Sequence, residues 1–155
     1  MIYLAFGSKR GILIALLEHM APVPRETFEA DLAAVAADPH RQLGLAVSFI
    51  VDYYAGATPF LSILLAAAAT EPDIREAVAQ GEAFRRAAQE PLIRAWSQRG
   101  SLAPGRTAGE AADIMWALTS PEVYLKLSSI PGRPPERCRD WLISAPGAQL
   151  LRGTL

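Results

Sequence analysis

The sequence predicts an all-α fold, a multi-helix bundle of about eight helices built around a single core. Three observations carry that expectation. Apolar residues recur at three- and four-residue spacing through nearly the whole chain. No stretch alternates polar and apolar residues with the two-residue period of a half-buried strand. Proline, glycine and capping residues fall at intervals that cut the chain into helical lengths. With 155 residues, 51% of them hydrophobic and 20% charged, the chain holds enough apolar material for one good core and too little charge for disorder. No repeat of 20 to 50 residues and no low-complexity tract suggests a solenoid.

In chain order, Gly7 suits the left-handed residue that closes a short helix, and Ser8 suits the N-cap of the next. That helix runs from Lys9 to Met20 with Ile12, Leu13, Leu16 and Leu17 on its apolar face, and Ala21-Pro22-Val23-Pro24 ends it. A modest helix over Thr27 to Ala37 carries Phe28, Leu32 and Val35 and closes at Asp38-Pro39. Leu43, Val47, Ile50, Val51 and Tyr54 define a broad apolar face over His40 to Ala55. Gly56 then reads as a C-cap, and Thr58-Pro59 as the start of a separate helix to Thr70, so apolar that it should be enclosed by others.

Glu71-Pro72-Asp73 opens a long helix to about Gln98 along Ile74, Val78, Phe84, Leu92 and Trp96, with an expected kink at Pro91. Its other face carries Arg75, Glu76, Glu82, Arg85 and Arg86 and reads as solvated surface. Gly100 to Arg106 is a loop. Thr107 begins a helix whose stripe of Ala111, Ile114, Met115 and Leu118 breaks at Ser120-Pro121, where Ser120 can cap the next helix. After the turn at Ile130 to Pro135, a last helix shows Cys138, Trp141, Leu142 and Ala145 on one face, and Pro146-Gly147 should stop it early.

The inventory of reactive groups is poor. A single cysteine, Cys138, excludes an internal disulfide and fits a reducing cytoplasm; the alternatives for it are a redox sensor and a small buried hydrophobe. His19 and His40 lie in separate segments without metal-ligand spacing, so no metal and no cofactor are expected. Glu71 and Asp73 read as first-turn helix carboxylates, and no nucleophile elbow or phosphate loop is present. The N-terminal helix is too short and interrupted to span a bilayer, and no membrane association is expected. A net charge of −1 and a pI near 6.1 give no overall attraction to nucleic acid, so contact with DNA must come from a local patch.

Lys9 and Arg10 are such a patch. Cations in a first helical turn face the positive end of the helix dipole, at a cost of some tenths of a kcal/mol each. Either Ser8 capping outweighs that cost in a solvated turn, or the free N–H groups and two cations meet a phosphate. The stretch Ile2-Tyr3-x-x-Phe6-Gly7-Ser8-Lys9 resembles the end of the helix-turn-helix and the start of the fourth helix in TetR-family transcriptional regulators. Asp113-Ile-Met-Trp116-Ala-Leu-Thr-Ser-Pro-Glu-Val-Tyr124, followed by Pro135-Glu-Arg-x-x-x-Trp141-Leu142, resembles the last two helices of many members. The resemblance implies DNA phosphate contacts at Tyr3 and Lys9, with Arg10 beside them, and a Phe6 packed in the DNA-binding headpiece.

It also implies a division at residue 20. Residues 1–20 would be the remnant of the headpiece and residues 21–155 a ligand-binding and dimerisation domain. The first two headpiece helices would precede Met1, so the chain is expected to be N-terminally truncated. The implied function is a transcriptional regulator, a repressor, whose small apolar ligand controls DNA binding. The alternative is a free-standing ligand-binding and dimerisation module that does not bind DNA; a helical-bundle enzyme is the remote third reading.

Aromatics at helical spacing are usually core, yet Tyr and Trp bring polar handles that a packed core does not require. On that ground Phe49, Tyr53, Phe60, Leu64, Trp96 and Trp116 are the candidate ligand pocket. The C-terminal stripes are the candidate homodimer interface, through Ile114, Leu118, Tyr124, Cys138, Trp141 and Leu142.

Base edges are read by a helix seated in the major groove, and phosphate contacts alone do not specify sequence. The 155-residue chain should therefore show no competitor-resistant binding to the DNA upstream of its gene in a titration at fixed salt, with binding recovered in an N-terminally extended chain. Tight, specific binding by the short chain would contradict this.

Overall fold

The computed structural model describes residues 25–153, which form an all-α bundle of six helices. The expectations for residues 1–24, including Tyr3, Lys9 and Arg10, lie outside the described residues. The helices are α1 (Arg25–Ala34), α2 (Pro39–Ala68), α3 (Pro72–Gln98), α4 (Ala108–Leu118), α5 (Pro121–Ser128) and α6 (Pro135–Leu150). The described residues contain no strand, only an isolated antiparallel bridge between Leu102 and Leu151.

Cap chemistry sets most boundaries. The Asp38 side chain accepts from the Arg41 amide at 3.0 Å, with Pro39 supplying a first helical residue that needs no N–H partner. Thr107 and Glu110 form a reciprocal capping box. The two hydrogen bonds from the Thr107 amide and hydroxyl hold the Glu110 carboxyl below the usual carboxylate range. Ser120 caps α5 by accepting from Val123 N, with Pro121 after it.

Two proline sites depart from the sequence expectation. Gly56 and Thr58-Pro59 do not divide α2, which runs unbroken for 30 residues. Pro59 deprives the Ala55 carbonyl of its helical donor, but both residues face solvent, where water can take that role. The Thr58 hydroxyl donates to the Tyr54 carbonyl at 2.8 Å and the Ser62 hydroxyl to the Thr58 carbonyl at 3.1 Å, which supports the ladder beside the proline. On the opposite side Tyr54, Ala57, Leu61 and Leu64 stay buried in continuous register. Burial of that face offsets the proline cost of about 3 kcal/mol.

Likewise Pro146-Gly147 does not stop α6, which continues to Leu150. Pro146, Gly147 and Leu150 are all buried, and packing overrides the local breaker. α3 also continues through the exposed Pro91. Nor is the second half of α2 enclosed on all sides, since Ile63 is 70% exposed. By length and hydropathy alone α2 could cross a bilayer, but its inner face is taken by other helices.

α2 is the spine: α1, α3, α5 and α6 all pack on it, while α4 packs on α3 and α6. Leu43, Val47 and Val51 from α2 meet Ile93 and Trp96 from α3, Met115 from α4 and Leu142 from α6 in one core. Trp96 is fully buried, and its Nε1 donates to Gln42 Oε1 at 2.8 Å. Gln42 Nε2 in turn donates to the Leu32 carbonyl at 3.1 Å, so one buried amide ties α1, α2 and α3. At the same end the chain closes on itself, with Ala103 N donating to Leu150 O at 2.8 Å and Arg152 N to Ser101 O at 3.0 Å.

Trp96→Phe removes a donor and strands a buried amide oxygen. Urea unfolding should show a loss of about 1–3 kcal/mol from that oxygen, before any packing change. A loss below about 0.5 kcal/mol would show that Gln42 readily finds another partner.

Candidate functional site

Among the described residues, the C-terminus of α4 gathers a dense set of buried polar groups. Thr119 caps α4 and is 1% exposed. Its hydroxyl donates to the Met115 carbonyl at 2.6 Å and accepts from Gln89 Nε2 at 3.2 Å and Arg85 Nη1 at 3.3 Å. Its carbonyl accepts from the Tyr54 hydroxyl at 3.1 Å and from Arg85 Nη1 at 3.4 Å. Tyr54 comes from α2, and Arg85 and Gln89 from α3, so three helices converge on one residue.

Arg85 is placed by charge and by shape. Glu82, one turn earlier on α3, takes Arg85 Nε at 3.2 Å and Nη2 at 2.5 Å. Nη1 is left to donate to the Trp116 carbonyl at 2.9 Å, at the negative end of the α4 dipole. The guanidinium also lies 5.6 Å from the centre of the Trp116 ring, within cation–π range. The Arg85 and Glu82 side chains are only 15% and 23% exposed. Glu82 and Arg85 are therefore not the solvated surface the sequence suggested, whereas Arg75 and Glu76 of the same face are exposed.

Two buried atoms in this cluster lack partners: Gln89 Oε1 and Trp116 Nε1. The Gln89 orientation follows from Thr119, whose single hydroxyl proton is spent on Met115 O, so the glutamine must present its NH₂ there and leave its oxygen bare. One acceptor and one donor are thereby left enclosed and unpaired in the same cluster as a guanidinium. Such groups cost free energy until a ligand or water satisfies them.

The sequence-predicted pocket residues are not gathered at one place. Phe49 and Leu64 lie fifteen residues apart on α2, roughly 22 Å at about 1.5 Å per residue. Phe49 stacks on Phe28 at 4.3 Å between ring centres. Tyr53 lies edge-on to Tyr54 at 5.9 Å, and burial raises its hydroxyl pKa. Trp96 sits in the core on Gln42; Phe60 is half-buried and Leu64 buried on the second half of α2. Trp116 alone of the six joins the Thr119 cluster.

Of the predicted interface residues, Tyr124, Cys138 and Leu142 are buried within this one chain, at 8%, 3% and 2% exposure. Ile114 and Leu118 are half-buried, and Trp141 is the most open at 38%. Burial pushes the Cys138 thiol pKa up, with Arg133 opposing the shift.

Tyr54, Arg85, Gln89 and Thr119 were missed as a group. The available signal was the spacing Glu82, Arg85, Gln89, Ile93, Trp96, a three-and-four stripe whose lower half is core and whose upper half is polar.

Burial raises the Tyr54 hydroxyl far above its ordinary value of about 10, with Arg85 opposing. The folded form therefore holds its proton longer than the unfolded chain. Its stabilising contribution is complete below about pH 10 and is lost as pH climbs toward the folded value. Thermal melts should fall more steeply above pH 10 for the native chain than for Tyr54→Phe. Parallel curves would contradict the burial.

No family model matches the chain, and no solved structure matches it. Over 64 residues, 41% of this chain, it is 42% identical to the HTH-type transcriptional repressor NicS of Pseudomonas putida, and the matched segment is 30% of the length of NicS. An all-α bundle that converges on one polar cluster is thus joined, by sequence, to part of a transcriptional repressor.

Proposed function

We propose that the chain is the effector-binding and subunit-pairing part of a transcriptional regulator of the TetR type, acting in the cytoplasm as a repressor. The observation that carries this reading is the 42% identity to NicS over 64 residues. The helical architecture is compatible with it. The partners in this reading are a second copy of the chain, a small ligand and DNA; contacts to phosphates would come from Tyr3, Lys9 and Arg10.

Ligand control would act at the Thr119 cluster. Trp116 Nε1 and Gln89 Oε1 support this as enclosed groups that lack partners, which a small, mainly apolar molecule with a polar group would reach only by parting the helices around them. Binding there would bear on α2, α3 and α4 together, because Thr119 joins them. Pairing would use the outward side of α4 and α6, where Trp141, Ile114 and Leu118 keep apolar surface that the chain itself does not cover.

Two measurements test the reading. Sedimentation equilibrium at micromolar concentration should find a dimer, and Trp141→Asp should give a monomer with unchanged helicity; a native monomer would overturn the pairing. Disruption of the gene should raise transcripts of adjacent genes. A dimer without any transcriptional effect would favour a free-standing module that does not bind DNA.

A further inference from the structure

We propose that the apolar surface left open along the second half of α2 and the first half of α3 is the docking site for residues 9–20 of the same chain. One stripe of α2 runs through Phe49, Tyr53, Gly56, Phe60 and Ile63, at alternating spacings of four and three residues. α1 covers only its beginning. Phe28 stacks on Phe49 at 4.3 Å, and the Leu32 carbonyl accepts from Gln42. Farther along, Gly56 is exposed, Phe60 is half-buried and Ile63 is 70% exposed.

α3 supplies the other wall. The chain turns back between Ala68 and Pro72 and α3 packs on α2, so Phe84 returns to the level of Gly56 and Ala77 to that of Ile63. Arg86 is paired with Asp113 of α4. Phe84, two residues earlier, lies about 200° away around α3 and therefore points away from α4. It too is 70% exposed. Two large apolar side chains so open on adjoining helices, in line with a stripe that α1 already covers in part, form one contiguous apolar surface.

The described part of the chain starts at the mouth of that surface. From Leu32 beside Gln42 to Phe28 beside Phe49, α1 runs antiparallel to α2, which brings Arg25 close to the level of Tyr53. Residues 21–24 can reach at most about 14 Å from there. The twelve residues before them carry Ile12, Leu13, Leu16, Leu17 and Met20 at the spacing of one helical face. Twelve helical residues measure about 18 Å, and the open stripe from Gly56 to Ala67 about 16 Å.

The direction of the chain then sets Met20 near Gly56, Leu16 near Phe60 and Leu13 near Ile63. Lys9 and Arg10 arrive at the far end, where the carboxylates of Glu71, Asp73 and Glu76 are exposed and the Arg75 guanidinium is held by the Ala68 and Ala69 carbonyls. Length, apolar pattern and charge all fit this segment. The inference does not rest on the regulator reading, because it concerns a single chain and is measured without DNA.

Limited trypsin digestion of the full chain, read by mass spectrometry at Lys9 and Arg10, is the first test. The native chain should resist cleavage there, and Ile63→Asp or Phe84→Asp should speed it by about tenfold or more, since each removes apolar burial that holds the segment down. Ser62→Asp, exposed on the same helix but off the stripe, should change nothing. In a Cys138→Ala chain, Leu13→Cys combined with Ile63→Cys should oxidise to a cross-link within one chain. Equal cleavage rates in the native, Ile63→Asp and Ser62→Asp chains would overturn the proposal, as would a cross-link formed only between chains, which would make a second copy the occupant.

Discussion

The C-terminal end of α4 cannot be buried unless something answers its free carbonyls, and the way this chain answers them fixes the middle of the bundle. A helix leaves its last carbonyls without intrahelical donors. Here the Thr119 carbonyl receives the Tyr54 hydroxyl from α2, and the Trp116 carbonyl receives Arg85 from α3. The solution brings a cation into a poorly hydrated setting, which is tolerable because Glu82 is bound to the same guanidinium and the Trp116 ring lies beside it. Neither α2 nor α3 can shift along α4 without breaking a buried hydrogen bond.

That cluster is complemented near the N-terminal end of α2 by Gln42, which accepts from Trp96 and donates to Leu32. Between the two lies a conventional apolar core. The polar ties do not supply most of the stability, since a satisfied hydrogen bond nets only about 1 kcal/mol. They define one alignment of the helices out of the several that apolar surfaces alone would permit. At the Thr119 end the satisfaction is incomplete, because Gln89 Oε1 and Trp116 Nε1 remain bare.

Helix class and most boundaries were legible in the sequence because they rest on local chemistry. Asp38-Pro39, Thr107 with Glu110, and Ser120-Pro121 are caps whose geometry is decided within four residues. Pro59 and Pro146 were misread for the complementary reason. Whether a proline ends a helix depends on what the opposite face buries, and Leu61 and Leu150 belong to a core assembled from distant segments. Arg85 looked like surface because its charge is evident in sequence while Trp116 and Thr119, some thirty positions on, are not evidently its neighbours. The aromatic residues failed to mark one place because aromaticity signals burial without saying against what: Trp96 lies at Gln42, Phe49 at Phe28 and Trp116 at Arg85.

The claim that α2 and α3 are locked through the end of α4 is tested most directly by a double-mutant cycle in urea, using Tyr54→Phe, Arg85→Met and the two together. Their donors meet at one carbonyl, so the substitutions should be non-additive, with a coupling of about 0.5–3 kcal/mol. Additivity within about 0.3 kcal/mol would mean that the two groups act independently and that Thr119 is not the tie between the helices.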